Sequence, residues 1–300
     1  MQLHELLLPL ADYSLAARSS TPDLAAEQPT LVFLHGWQDN ANSFAPILPQ
    51  LAPHFRVLAF DFPGHGLSPH RSEHCYYPFV DYLDELQQVL SLLASPYILV
   101  GHSMGGMLAA TYAGLCQDEN LKGLVLLEST GPIADSPDLA VERLQKGLKA
   151  RQKWRKQRHK VHRGYETMDF AIAQRSRINR IDPVQITPLV ERALECRQGR
   201  WFWRHDRKTA LPSLTRFTEP QVESILRQIQ VPIFTLLAEQ GYDWLKQDLK
   251  LRKTWLHAFE CEILAGCHHF HLQCPDLVSA KILAFAAQNF AQETTEKASK

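Results

Sequence analysis

The chain has 300 residues, carries 32 basic and 32 acidic side chains, and is 45% apolar. That length suits one large α/β domain with an insertion, or two modest domains, and the apolar share sustains a core without disulfides or metal. Zero formal net charge argues against a dedicated nucleic-acid binder. The apolar start of the chain includes Glu5 and has no basic segment, which excludes a signal peptide, and no uninterrupted apolar run would span a bilayer. Cys75, Cys116, Cys196, Cys261, Cys267 and Cys274 are scattered without a C-x-x-C pair, so they read as reduced thiols of a cytoplasmic protein.

In chain order, residues 3–8 and 13–17 read as two strands joined through Pro9-Leu10-Ala11-Asp12. Apolar runs without alternation follow at 30–34, 56–60, 97–100, 121–127, 233–238 and 259–264. Strands of this kind are covered on both faces, as in a mostly parallel sheet flanked by helices. Helical patterns fall between them, including 79–93 and 106–116. The alternation breaks once, over residues 131–220, a stretch without buried-strand pattern that is expected to be helical throughout. Such an insertion reads as a lid over the carboxyl edge of a core formed by 1–130 and 221–300, the edge where open α/β sheets place ligands.

The lid has an unusual charge pattern. Nearly every charged residue of 143–163 is positive: Arg143, Lys146, Lys149, Arg151, Lys153, Arg155, Lys156, Arg158, Lys160 and Arg163. Val141, Leu144, Leu148, Trp154 and Val161 recur at loosely helical spacing. A solvated helix face accounts for this pattern; attraction of an anionic substrate or an anionic surface is the functional alternative. Further on, Trp201 and Trp203, with Phe202 between them, are either pocket walls or packing within the lid.

The most informative segment is Gly101-His102-Ser103-Met104-Gly105, between the apolar run 97–100 and a helix-forming stretch. A strand turning sharply into a helix lifts a serine hydroxyl above the sheet and aims a helix N-terminus at it. Attack by Ser103 on an acyl carbon would put charge on the carbonyl oxygen. Backbone N–H donors are expected at Trp37, in the His35-Gly36-Trp37 loop after strand 30–34, and at Met104. A serine also needs an imidazole to take its proton, and Gly266-Cys267-His268-His269-Phe270-His271 follows the last strand. His268 leaves the glycine turn nearest the sheet edge, His269 should point away, and His271 should pack against the next helix. Cys267, His268, His271 and Cys274 lack standard zinc spacing, so no metal is expected. For the carboxylate that orients the base, Glu128 ends an otherwise apolar strand and needs a partner there. Asp243 and Glu239 are the alternatives.

With His35-Gly36-Trp37, Asp61-Phe62-Pro63-Gly64-His65-Gly66-Leu67-Ser68, Gly101-His102-Ser103-Met104-Gly105-Gly106 and Gly266-Cys267-His268 in this order, the chain resembles the α/β-hydrolase superfamily over nearly its full length. More narrowly it is similar to the serine hydrolase-like proteins, through the acid ending strand 121–127, Arg204-His205-Asp206-Arg207, and Gly241-Tyr242 where the superfamily's usual Asp is missing. The resemblance implies an α/β-hydrolase fold with the helical lid inserted after the strand ending near Glu128. It also implies a cofactor-independent enzyme acting on a small-molecule ester or thioester. Alternatives are a carbon–carbon bond hydrolase, or a binding protein that kept the fold and lost turnover. His65 and His102 belong to turns and are not candidates for the base.

Overall fold

The computed structural model describes residues 3–160 and 163–298, with side chains described as far as residue 291. Ten strands are formed: β1 (His4–Pro9), β2 (Ser14–Ser19), β3 (Thr30–Leu34), β4 (Arg56–Phe60), β5 (Tyr97–His102), β6 (Leu121–Leu127), β7 (Leu194–Arg197), β8 (Arg200–Trp203), β9 (Ile233–Gln240) and β10 (Phe259–Cys267). The helices are α1 (Leu48–Leu51), α2 (Tyr82–Ser91), α3 (Met104–Leu115), α4 (Ala140–Gln157), α5 (Met168–Asn179), α6 (Pro183–Ala193), α7 (Glu219–Leu226), α8 (Asp243–Arg252), α9 (Phe270–Gln273) and α10 (Pro275–Ala298).

Eight strands make one sheet in the order β1-β2-β4-β3-β5-β6-β9-β10, parallel from β4 to β10 and antiparallel at β1 and β2. Every residue of β3, β4 and β5 is buried, because alternate side chains enter two different cores. Val32 and Leu34 pack with α2 and α3, whereas Leu31 and Phe33 pack with α1 and α10. Burying each such aliphatic side chain contributes about 1.5–3 kcal/mol, which is why these runs show no polar alternation. α3 is buried along almost its whole length beneath α7. No helix among the described residues is long and apolar enough to cross a membrane.

Strand order reverses between β3 and β5, since β3 leads to β4 on one side and has β5 on the other. Their carboxyl ends therefore flank a topological switch point, where a crevice opens above the sheet. The insertion between β6 and β9 covers this edge and is tied to the core through buried ion pairs. Arg192 of α6 meets Asp61 at 2.9 Å, and Arg175 of α5 meets Asp39 at 2.6 Å.

Two expectations need correction. The insertion is not helical throughout: β7 and β8 form an antiparallel hairpin. Its two-residue turn, Gln198-Gly199, has φ of 51° and 74°, the type I′ geometry that matches strand twist. The run 259–264 is not covered on both faces, because β10 is an edge strand with Glu260, Ile263 and Ala265 exposed. The basic helix forms as α4 with only Gly147 buried, while Val161 lies outside the described residues.

Candidate active site

Ser103 sits between β5 and α3 with φ of 51°, in a region L-residues rarely adopt. Holding it there costs about 1–3 kcal/mol, which the surrounding packing must supply. The turn is locked by the Ser103 N–H donating to the Leu127 carbonyl at 2.9 Å and by a close approach of α3 to β3. A Cβ at Gly105 would fall on the Leu34 carbonyl oxygen, so only glycine fits. Met104 is the first residue of α3, and its N–H has no acceptor within the helix. Among the described residues neither the Met104 nor the Trp37 N–H has a hydrogen-bond partner, and both residues line the same cavity as Ser103. Gln38, next to Trp37, has φ of 58°, so the loop after β3 is as constrained as the serine turn.

His268 and Glu128 meet from different strands. The imidazole Nδ1 lies 3.0 Å from Glu128 Oε2. A carboxylate only accepts, so Nδ1 carries the proton and Nε2 presents a lone pair. Glu128 is 1% exposed; its Oε1 accepts from the Ala238 N–H at 2.6 Å and its Oε2 from the Tyr242 N–H at 3.4 Å. Its own φ of 51° turns the side chain off the end of β6 toward the end of β9. There Gly241 makes room, because a Cβ at that position would collide with the Glu128 carboxylate. Burial pushes the His268 pKa down, and its hydrogen bond to Glu128 opposes this. Among the described residues no hydrogen bond joins Ser103 Oγ to His268; such contacts commonly tighten only when substrate is bound. Asp243 and Glu239 do not meet the histidine: Asp243 is 90% exposed beside Lys246, and the Glu239 side chain points to solvent.

The other histidines form a second buried network. His269 Nε2 donates to Asp39 Oδ2 at 3.0 Å, and its Nδ1 accepts from Asn179 at 3.1 Å. Burial pushes His269 down to about 4, so the neutral ring donates to an ionised Asp39. Burial would push the Asp39 carboxyl up, yet its histidine neighbours and Arg175 hold it well below the usual carboxylate range. His102 Nε2 donates to the His268 carbonyl at 2.9 Å, and its Nδ1 lies 3.4 Å from Asp39 Oδ2. His271 is fully buried against Ser43 at 2.9 Å. His65 is buried as well, its Nδ1 donating to the Pro63 carbonyl.

A cavity of about 690 Å³ opens beside Ser103. Its walls come from residues 77–80, 132–133, 209–213 and 215–217, with Met107 of α3. Trp201 and Trp203 are not among them. Both lie on the β7–β8 hairpin, where Trp201 pairs with Tyr165 and Trp203 Nε1 donates to the Tyr165 hydroxyl at 3.0 Å. Of the two roles the sequence left open, they take packing within the insertion, and they do not line this cavity.

Residues 31–281 match the Alpha/beta hydrolase family. The chain belongs to that family. It is 27% identical to a serine hydrolase-like protein of Danio rerio over 274 residues, 87% of this chain and 82% of that one. A crystal structure of a hypothetical protein from Pseudomonas aeruginosa superposes with a TM-score of 0.84 at 32% identity, covering 96% of this chain and 99% of the other. A pimeloyl-[acyl-carrier protein] methyl ester esterase of Xanthomonas oryzae is 32% identical over 124 residues, 40% of this chain and 46% of that protein.

For this α/β hydrolase, sequence reasoning overlooked Asp39, His102 and His269 as a unit, and it overlooked the cavity walls. Asp39 left a signal: it is a charged residue in the loop directly after a fully buried strand, and such a group demands partners.

Proposed function

We propose that this α/β hydrolase is a serine hydrolase that cleaves an ester or thioester of a small-molecule acyl substrate. Ser103 Oγ attacks the acyl carbon and gives its proton to His268 Nε2. The N–H groups of Trp37 and Met104 bind the oxygen that becomes negative, and His268 passes the proton to the departing alcohol or thiol. Water, deprotonated by His268, then releases the acid and restores Ser103. Glu128 keeps the proton on Nδ1 and stabilises the imidazolium formed in each step.

The observation that carries this reading is the Glu128–His268 contact of 3.0 Å, which leaves Nε2 unprotonated, beside the strained turn that holds Ser103. The name of the Xanthomonas relative, an ester hydrolase, supports the bond type. Ser103→Ala should abolish labelling by a fluorophosphonate probe and cut turnover of a short p-nitrophenyl ester by more than about 10³-fold. Unchanged hydrolysis by purified, folded Ser103→Ala would remove the proposal. Labelling of the parent without turnover would leave a binding protein on a hydrolase scaffold.

A further inference from the structure

The cavity beside Ser103 is walled mainly by apolar side chains, among them Phe79, Met107, Ile133, Leu211 and Phe217. Arg216 is the one lining residue with a formal charge among those described. A recess of about 110 Å³ adjoins it, sharing Thr215 and Arg216 with the cavity and adding Asp135 and Arg143. The guanidinium therefore stands where the two spaces meet.

Its charge is not neutralised there. Asp135 pairs with Arg143 and also with Arg216, whose Nη1 lies at 3.3 Å from Oδ1. One carboxylate shared by two guanidiniums leaves a net positive charge at the cavity wall. Arg216 is anchored through its neighbours, since the Asp135 N–H donates to the Phe217 carbonyl at 2.9 Å and Ala134 bridges Phe217. An apolar chamber with a fixed, half-compensated cation selects ligands that are apolar along their length and anionic at one end.

We infer that the substrate is an ester or thioester whose acyl chain ends in a carboxylate, and that Arg216 receives this carboxylate. This rests on the serine-hydrolase reading above. The chain lies along the apolar walls with its reacting carbonyl at Ser103. The terminal carboxylate displaces part of the Asp135 contact, and Asp135 retains Arg143.

Matched p-nitrophenyl esters test the inference: alkanoyl against ω-carboxyalkanoyl, from butanoyl to decanoyl. At the best chain length the carboxylated ester should have the higher kcat/KM, by about tenfold, a figure reduced from that of a fully buried charged hydrogen bond because Arg216 is 38% exposed. Arg216→Gln should bring that ratio close to one, and Arg216→Lys should retain part of it. Asp135→Asn should raise it, because the competing carboxylate is gone; a merely structural role for this pair would not give opposite signs. The preference should shrink with added salt. No preference in the parent at any length, or a ratio unmoved by Arg216→Gln, overturns the inference. Calorimetric titration of the corresponding methyl ketones into Ser103→Ala reads the same preference without turnover. Failure of the catalytic proposal is thus told apart from failure of this one.

Discussion

Two adjacent histidines of one loop each meet a buried carboxylate at 3.0 Å, yet the two pairs differ in how much of each ring is engaged. His269 spends both ring nitrogens, one on Asp39 and one on Asn179, and is 5% exposed beneath the insertion. His268 spends only Nδ1, on Glu128, and its side chain keeps 17% exposure. Asp39 also has Arg175 to offset its charge, whereas no cation pairs with Glu128 among the described residues. A histidine with both ring nitrogens bonded holds a structure; one with a free Nε2 lone pair is equipped to take a proton, the role proposed for His268. Removing each carboxylate should therefore give different outcomes.

The largest effect is expected at Glu128. Glu128→Gln keeps hydrogen bonding but removes the charge that stabilises a His268 imidazolium, and kcat on an activated ester should fall by at least about 10², against about 10⁴ for a triad carboxylate elsewhere. Glu239→Gln and Asp243→Asn should stay within about tenfold of the parent, because neither touches the ring. Parallel kcat measurements on the three variants, each checked by circular dichroism, decide the matter. A near-normal Glu128→Gln beside a crippled Asp243→Asn would reverse the assignment.

Gly241 sharpens the same point from the neighbouring strand. Its missing side chain is the space that the Glu128 carboxylate occupies. Gly241→Ala should displace that carboxylate, lowering kcat by about tenfold or more and melting temperature by several degrees, as overpacking a buried site costs about 1–3 kcal/mol. The double variant Glu128→Ala/Gly241→Asp moves the acid from the end of β6 to the end of β9 and should regain part of the activity lost in Glu128→Ala alone. No recovery in the folded double variant would mean that position 241 cannot present a carboxylate to His268.

Much of this was legible in the sequence because it is local. The serine turn, the glycine before His268 and the acid ending β6 lie within short segments whose chemistry marks them as candidates. The missing aspartate at Gly241 directed attention to Glu128 as the candidate acid; that a glycine there makes room for the Glu128 carboxylate needed the contact geometry. The cavity walls were not legible, because they assemble segments separated by well over a hundred residues, Tyr77 with Leu211 for instance. The role of Trp201 and Trp203 stayed open for a related reason: large aromatics serve a pocket or a hairpin core equally well, and only strand pairing distinguishes them. The hairpin itself escaped because its strands are four residues each and its turn is Gln-Gly rather than Asn-Gly.

The smallest effect is expected at Asp39, and its form matters more than its size. The Asp39 charge favours the protonated form of His268, as do the hydrogen bond and charge of Glu128, while burial disfavours it. Asp39→Asn removes one of the raising influences, so the pKa of His268 should fall further. The base works only when neutral, hence the acid limb of the kcat/KM profile should move to lower pH, with the plateau reduced by less than in Glu128→Gln. Loss of the Arg175 and His269 contacts should also lower stability, since a partly buried guanidinium and a buried imidazole are left short of a partner. The measurements are a pH–rate profile on one activated ester and a melting curve. A limb that moves upward, or a plateau loss equal to that of Glu128→Gln, would make Asp39 part of the proton-transfer machinery and erase the distinction between the two pairs.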